Sequence, residues 1–277
     1  MEAPLNAPGF FGKLPYIGDF VNRGWDVGLL DKLDKLLQEA LSELMASSAL
    51  GKDAVTQAPC MVLSVRPGLL GDQGLLTVVL PSHDRVGRTF PFCAGSQWIA
   101  DGSGGLDWPS VDFAHALIAT VQRCMDAEAD PDQFLAGIAA LGSPHGFRRT
   151  FQGLGGDETV PRLGAEVKLL CIRGPLLDMP PAQLALCSIL SGTSDLLGIR
   201  FDATGAAQDF FACRRLESGK ALASLFDGHW TERGWSFFGA QPTSPASNPA
   251  LIPDFDEDAT RPPQRAIDTG TTAPDSR

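Results

Sequence analysis

The run Leu75-Leu76-Thr77-Val78-Val79-Leu80 constrains the fold of this chain more than any other stretch. It is short, uncharged and rich in β-formers, the pattern of a strand covered on both faces inside a layered structure. Pro81 follows at once and cannot donate to a ladder, so pairing stops there. Next comes a charged loop, Ser82-His83-Asp84-Arg85-Val86-Gly87-Arg88-Thr89, before an apolar stretch resumes at Phe90-Pro91-Phe92. Gly87 permits a backbone angle that other residues resist. Asp84, Arg85 and Arg88 are thereby set at the rim of a core. Two readings stand open: a turn whose carboxylate and guanidinium groups hold one another, or a site for an anion or an acidic partner.

Around that strand the remaining elements can be laid out. Ala58 to Val65 and Thr89 to Ala94 read as strands that complete an antiparallel meander with Leu75 to Leu80. Pro8 to Phe20 alternates aromatics with glycines and prolines, which predicts a first edge strand and a turn near Pro15 to Gly18. Phe10, Phe11 and Phe20 fill the core in that reading, which leaves the charges of Lys13 and Asp19 unexplained. From Asp26 to Ala49, Leu29, Leu30, Leu33, Leu36, Leu37, Leu41, Leu44 and Met45 follow the spacing of one helical stripe, with Asp26 placed to cap it. A second helix from Ser110 carries Val111, Ala114, Leu117, Ile118, Val121 and Met125 on one face, with His115 at its edge. Asp130-Pro131-Asp132-Gln133 has the makings of a capping box, and Gly142 closes that short helix.

A polar, Gly-rich connection over residues 143–164 marks either a functional segment or a boundary between halves. Beyond it the order is strand (Glu166 to Ile172), helix (Pro180 to Leu190), strand (Asp209 to Arg214) and capped helix (Ser218 to Phe226), with Trp230 and Trp235 closing the core. The expected fold is α/β: one mixed, largely antiparallel sheet with helices on both faces, a three-layer α/β/α sandwich over residues 1–240. Residues 241–277, rich in Pro, Ser, Thr and Asp, read as a disordered tail.

Charge and composition narrow the function. A net charge of −11 over 277 residues argues against nonspecific binding to nucleic acid or anionic lipid. No apolar run approaches the roughly 20 residues of a membrane span, and the first residues lack the regions of a signal peptide, so a cytoplasmic location is expected. The six cysteines form no C-x-x-C pair and sit mostly in apolar runs, as small core residues of a reducing compartment do. With the histidines widely separated, neither a metal site nor a cofactor is expected. Ser82-His83-Asp84 contains the residue types of a hydrolase, but consecutive residues of an extended loop point in different directions. A sensor of small anions or phosphate ligands, using Arg85 and Arg88, is the other alternative to a protein-binding surface.

Two stretches taken together resemble the amino-terminal region of the TagF proteins, accessory factors of bacterial type VI secretion. The first is Gly9-Phe10-Phe11-Gly12-Lys13-Leu14-Pro15, continuing Gly18-Asp19-Phe20-Val21 with Arg23 and Trp25-Asp26 beyond. The second is Pro81-Ser82, then Asp84-Arg85-Val86-Gly87-Arg88 and Phe90-Pro91. Tyr16-Ile17 departs from the family pattern, which carries a small polar and a basic residue there, and residues 93–240 show no matching motif. The resemblance implies a non-enzymatic cytoplasmic protein that restrains the secretion machine after translation, as a negative regulator acting with a forkhead-associated scaffold protein. Ser82, Asp84, Arg85, Gly87, Arg88, Lys13 and Asp19 are then the expected partner-binding residues. Gly12, Pro15, Gly18, Phe20, Trp25, Pro81, Phe90 and Pro91 would shape the backbone that carries them.

Overall fold

The meander read from the sequence is present. In the computed structural model, which describes residues 6–47, 52–98, 111–142, 168–173, 190, 193–202 and 204–238, β3 (Met61–Val65) pairs antiparallel with β4 (Gly74–Leu80), and β4 with β5 (Phe92–Trp98). Every residue of β4 is buried. Leu75 and Val79 turn to one core, Leu76, Val78 and Leu80 to the other, so the run has no need of polar alternation.

The sheet extends on both sides of the meander. On one side lie β1 (Asn6–Lys13) and β2 (Phe20–Arg23); on the other, β6 (Leu169–Arg173), β7 (Leu196–Phe201), β8 (Ala207–Cys213) and β9 (Ser236–Phe238). The spatial order is β2-β1-β5-β4-β3-β7-β8-β6-β9, antiparallel except between β6 and β9. The mixed, largely antiparallel sheet expected from the sequence is thus observed, as are helices on its two faces. On one face α1 (Val27–Ser47) lays Leu29, Leu33, Leu37 and Leu44 against Phe11, Met61 and Val79. On the other, α3 (Val111–Asp126) and α4 (Pro131–Ala140) pack Leu117, Val121, Phe134 and Ile138 against Phe10, Val62 and Phe92.

Local signals explain the helix starts. The Asp26 carboxylate accepts the Leu29 N–H at 3.0 Å. At α4, Asp130 accepts from Gln133 N–H while the Gln133 side chain accepts from Asp130 N–H, a complete capping box. Trp230 and Trp235 are buried and meet edge to face, with centroids 4.9 Å apart. Cys60, Cys93, Cys171 and Cys213 are core thiols; burial pushes Cys60 and Cys93 up to about 12, far from thiolate chemistry.

Some expectations need correction. β1 is not an edge strand, because β2 pairs outside it. The strand placed at Thr89 starts at Phe92, and Thr89 makes only an isolated bridge to His83. The helix expected over Ser218 to Phe226 is a 3-10 turn, Gly219–Ala223, capped by Ser218 and followed by the helical turn Ser224–Asp227. Met45 belongs to the predicted core stripe yet is 42% exposed. The sequence reading missed β2, β7, β9 and the short helix α2 (Lys52–Thr56). The connection over 143–164, the helix from Pro180 except Leu190, Cys187 and the tail lie outside the described residues.

Candidate functional site

Asp84 is the pivot of the charged loop. Its side chain is fully buried. One carboxylate oxygen accepts the N–H groups of Val86 (3.1 Å) and Arg88 (2.9 Å); the other meets Arg88 Nε (2.6 Å) and the Lys13 ammonium (3.1 Å). Asp84 C=O accepts from Gly87 N–H, and Gly87 holds φ at +83°, the left-handed conformation that suits glycine there. Enclosure alone would raise the Asp84 pKa, but the backbone N–H of Arg88, Lys13, the Arg88 side chain and the Val86 N–H together outweigh it. They hold the carboxyl well below the usual carboxylate range.

The loop is stitched to the turn that follows β1. Ser82 Oγ donates to Lys13 C=O at 2.6 Å, Arg85 N–H to Ile17 C=O at 3.0 Å, and Arg88 Nη2 to Gly18 C=O at 2.7 Å. Lys13 is 6% exposed and stands 5.0 Å from the centroid of the Phe20 ring, which stacks on Phe11 and meets Phe90 edge-on. The structure therefore brings Lys13, Ser82, Asp84, Gly87 and Arg88 into one bonded unit. Asp19 stands outside it, exposed, accepting from the Phe20 N–H. Trp25 is buried under β1, where a Cβ at Gly9 would run into its indole.

This arrangement divides the charges by task. Arg88 spends Nε and Nη2 inside the unit. Arg85 uses only its backbone, and its guanidinium has no hydrogen-bond or ionic partner among the described residues. Beside it Val86 is 68% exposed. The hydrolase reading finds no assembled triad here: Ser82 donates to a backbone carbonyl, His83 Nδ1 sits 3.0 Å from Asp84 C=O, and the Asp84 carboxylate is taken by cations. His115, on α3, contacts Gly205 C=O at 2.9 Å.

Arg85 also lines a cleft of about 550 Å³ between the Pro15-Tyr16 turn, the end of β4 and the C-terminal end of α3. Tyr16 donates its hydroxyl to Ala129 C=O at 3.0 Å, and burial, aided by Cys124 and Glu128, pushes its pKa up to about 12. Gln122, Asp126 and Glu128 complete the far wall. Sequence reasoning passed over these residues. A signal was there for Gln122: it follows Ile118 by four, inside the apolar stripe of α3, where a polar residue is out of place.

Residues 9–141 match the model of the TagF N-terminal domain, described as type VI secretion system-associated. The chain therefore carries a TagF N-terminal domain. The matched residues run from β1 to the end of α4 and hold the whole Lys13–Asp84–Arg88 unit. A crystal structure of PA0076 from Pseudomonas aeruginosa PAO1 superposes with a TM-score of 0.54 at 21% identity, covering 87% of this chain and 99% of that one. At that identity the likeness is one of fold, and it extends past the family match. No curated protein matches the chain. Among the described residues no helix is long and apolar enough to cross a membrane.

Proposed function

We propose that this chain, through its TagF N-terminal domain, is a non-enzymatic, cytoplasmic regulator that restrains type VI secretion after translation by binding a forkhead-associated scaffold protein. The family match places the chain with type VI secretion; the regulatory role and the scaffold are the reading offered here. One observation carries it. The loop from Ser82 to Arg88 is held from inside by Asp84, so Arg85 and Val86 stand outward on a backbone that does not need to order itself on binding. An Arg beside an exposed apolar residue on a pre-ordered backbone is the makings of an interface contact, since the backbone share of the ordering cost is already met.

The test is a charge-reversed surface. In a bacterium that carries the secretion apparatus, a chain with Arg85→Glu and Val86→Asp should accumulate to the normal level, lose capture of the scaffold by at least about tenfold, and release secretion as deletion does. A variant that still captures the scaffold and still restrains secretion would sink the proposal. Both substituted side chains are exposed and without partners among the described residues, so loss of folding is not the expected result.

A further inference from the structure

The cleft behind Arg85 has one feature that a solvated surface lacks. Gln122 lines it, is only 8% exposed, and its Nε2 is sealed from solvent without a hydrogen-bond partner among the described residues. A buried donor left unpaired costs free energy that a passing water would ordinarily relieve, and most such groups in folded proteins are paired. The terminal torsion of a glutamine is soft, so a modest rotation can hand that donor to a guest in the cleft.

The charges around Gln122 say what the guest carries. Arg85 stands on the loop wall; Asp126 and Glu128 stand on the opposite wall, at the end of α3. No ion pair joins the two walls among the described residues, and all three side chains are exposed. The negative end of the α3 dipole adds to the acidic side. Leu80, Pro81 and Met125 supply apolar floor between them. A guest of one sign would meet repulsion from one wall, whereas a guest with both signs on a short apolar spacer satisfies both.

We infer that this cleft receives a dipolar peptide segment of the regulator's protein partner, an acidic side chain set on Arg85 and Gln122 and a neighbouring basic one set on Asp126 and Glu128. The inference rests on the interaction reading above and deepens it by naming the chemistry of the bound segment. A protein segment is favoured over a free zwitterion because Val86, 68% exposed, continues the contact surface outside the cleft, where a small molecule has nothing to place.

The experiment titrates the full-length ¹⁵N-labelled chain with three capped dipeptides, Ac-Glu-Lys-NH2, Ac-Glu-Gln-NH2 and Ac-Gln-Lys-NH2, following the Gln122 side-chain amide and the Arg85 Nε–H. The dipolar peptide should shift both resonances saturably and bind about threefold or more tighter than either single-charge peptide. Arg85→Ala and Glu128→Gln, both at exposed positions, should each reduce it to the level of the controls, and Gln122→Leu should weaken it further. Equal response to all three peptides, or a response that survives Arg85→Ala and Glu128→Gln, overturns the inference. So does a stronger response to inorganic phosphate, which would make the guest a free anion. The two proposals fail separately. Dipeptide binding in the cleft with secretion indifferent to Arg85→Glu and Val86→Asp removes the interaction reading alone. Secretion released by that variant with no dipeptide binding removes the cleft alone.

Discussion

Replacing Asp84 by asparagine is expected to lower the melting temperature by on the order of 10 °C at neutral pH. The reason is what it strands. Lys13 is 6% exposed, and Asp84 is its one ionic partner among the described residues. An asparagine of the same size still accepts from the Val86 and Arg88 N–H groups, so loop geometry largely survives while a buried ammonium loses its counter-charge. The sign of the pH dependence follows from the lowered pKa. A carboxyl whose folded value lies below its unfolded value of about 3.9 contributes stability that is present above that value and lost as pH falls through the interval beneath it. Urea midpoints of the two proteins should therefore stay well apart from pH 7 to pH 5 and converge below about pH 4. A separation that stays constant to pH 3 would show that the fold does not lower the Asp84 pKa.

Gly12→Ala is the second large loss, about 3 kcal/mol or more. Gly12 sits at φ +136°, and a Cβ there would land on the Pro91 carbonyl oxygen and 2.8 Å from Phe92 Cα. Those are backbone atoms at the entry to the neighbouring strand β5, so no side chain can swing aside. Gly87→Ala makes the control: its φ is +83°, but a Cβ would find nothing within 4 Å, which limits the cost to about 1–2 kcal/mol. Equilibrium denaturation should rank the two clearly. Equal losses would mean that strand β1 yields to make room, contrary to the close approach observed.

These two residues also show what the sequence could and could not disclose. Helix α1 with its Asp26 cap, the capping box at Asp130 and the meander through β4 were legible because each is written in residues close together along the chain. Strand β7 was not, since Gly198 and Arg200 interrupt its apolar run; Gly198 is explained only by the Phe211 ring pressed against it from β8. The charged loop was legible as a place but not as an arrangement. Which arginine turns inward depends on Lys13 and Gly18, about seventy residues upstream, and no local spacing records that. Gln122 is the reverse case, a local anomaly whose meaning appears only when the Pro15-Tyr16 turn arrives opposite it.

One pairing in the sheet has a bearing on how the chain comes into being. Val65, in β3, lies directly opposite Leu196, in β7, and every residue of β3 is buried. During synthesis at roughly 5–20 residues per second, β3 and its meander partners emerge on the order of ten seconds before β7 exists to cover that edge. For that interval a strand that is apolar except for Ser64 stands open on one side, the kind of edge that invites pairing with a stranger. The nascent chain therefore has a waiting period set by the ribosome's pace, and slowing translation between residues 65 and 196 should lengthen it.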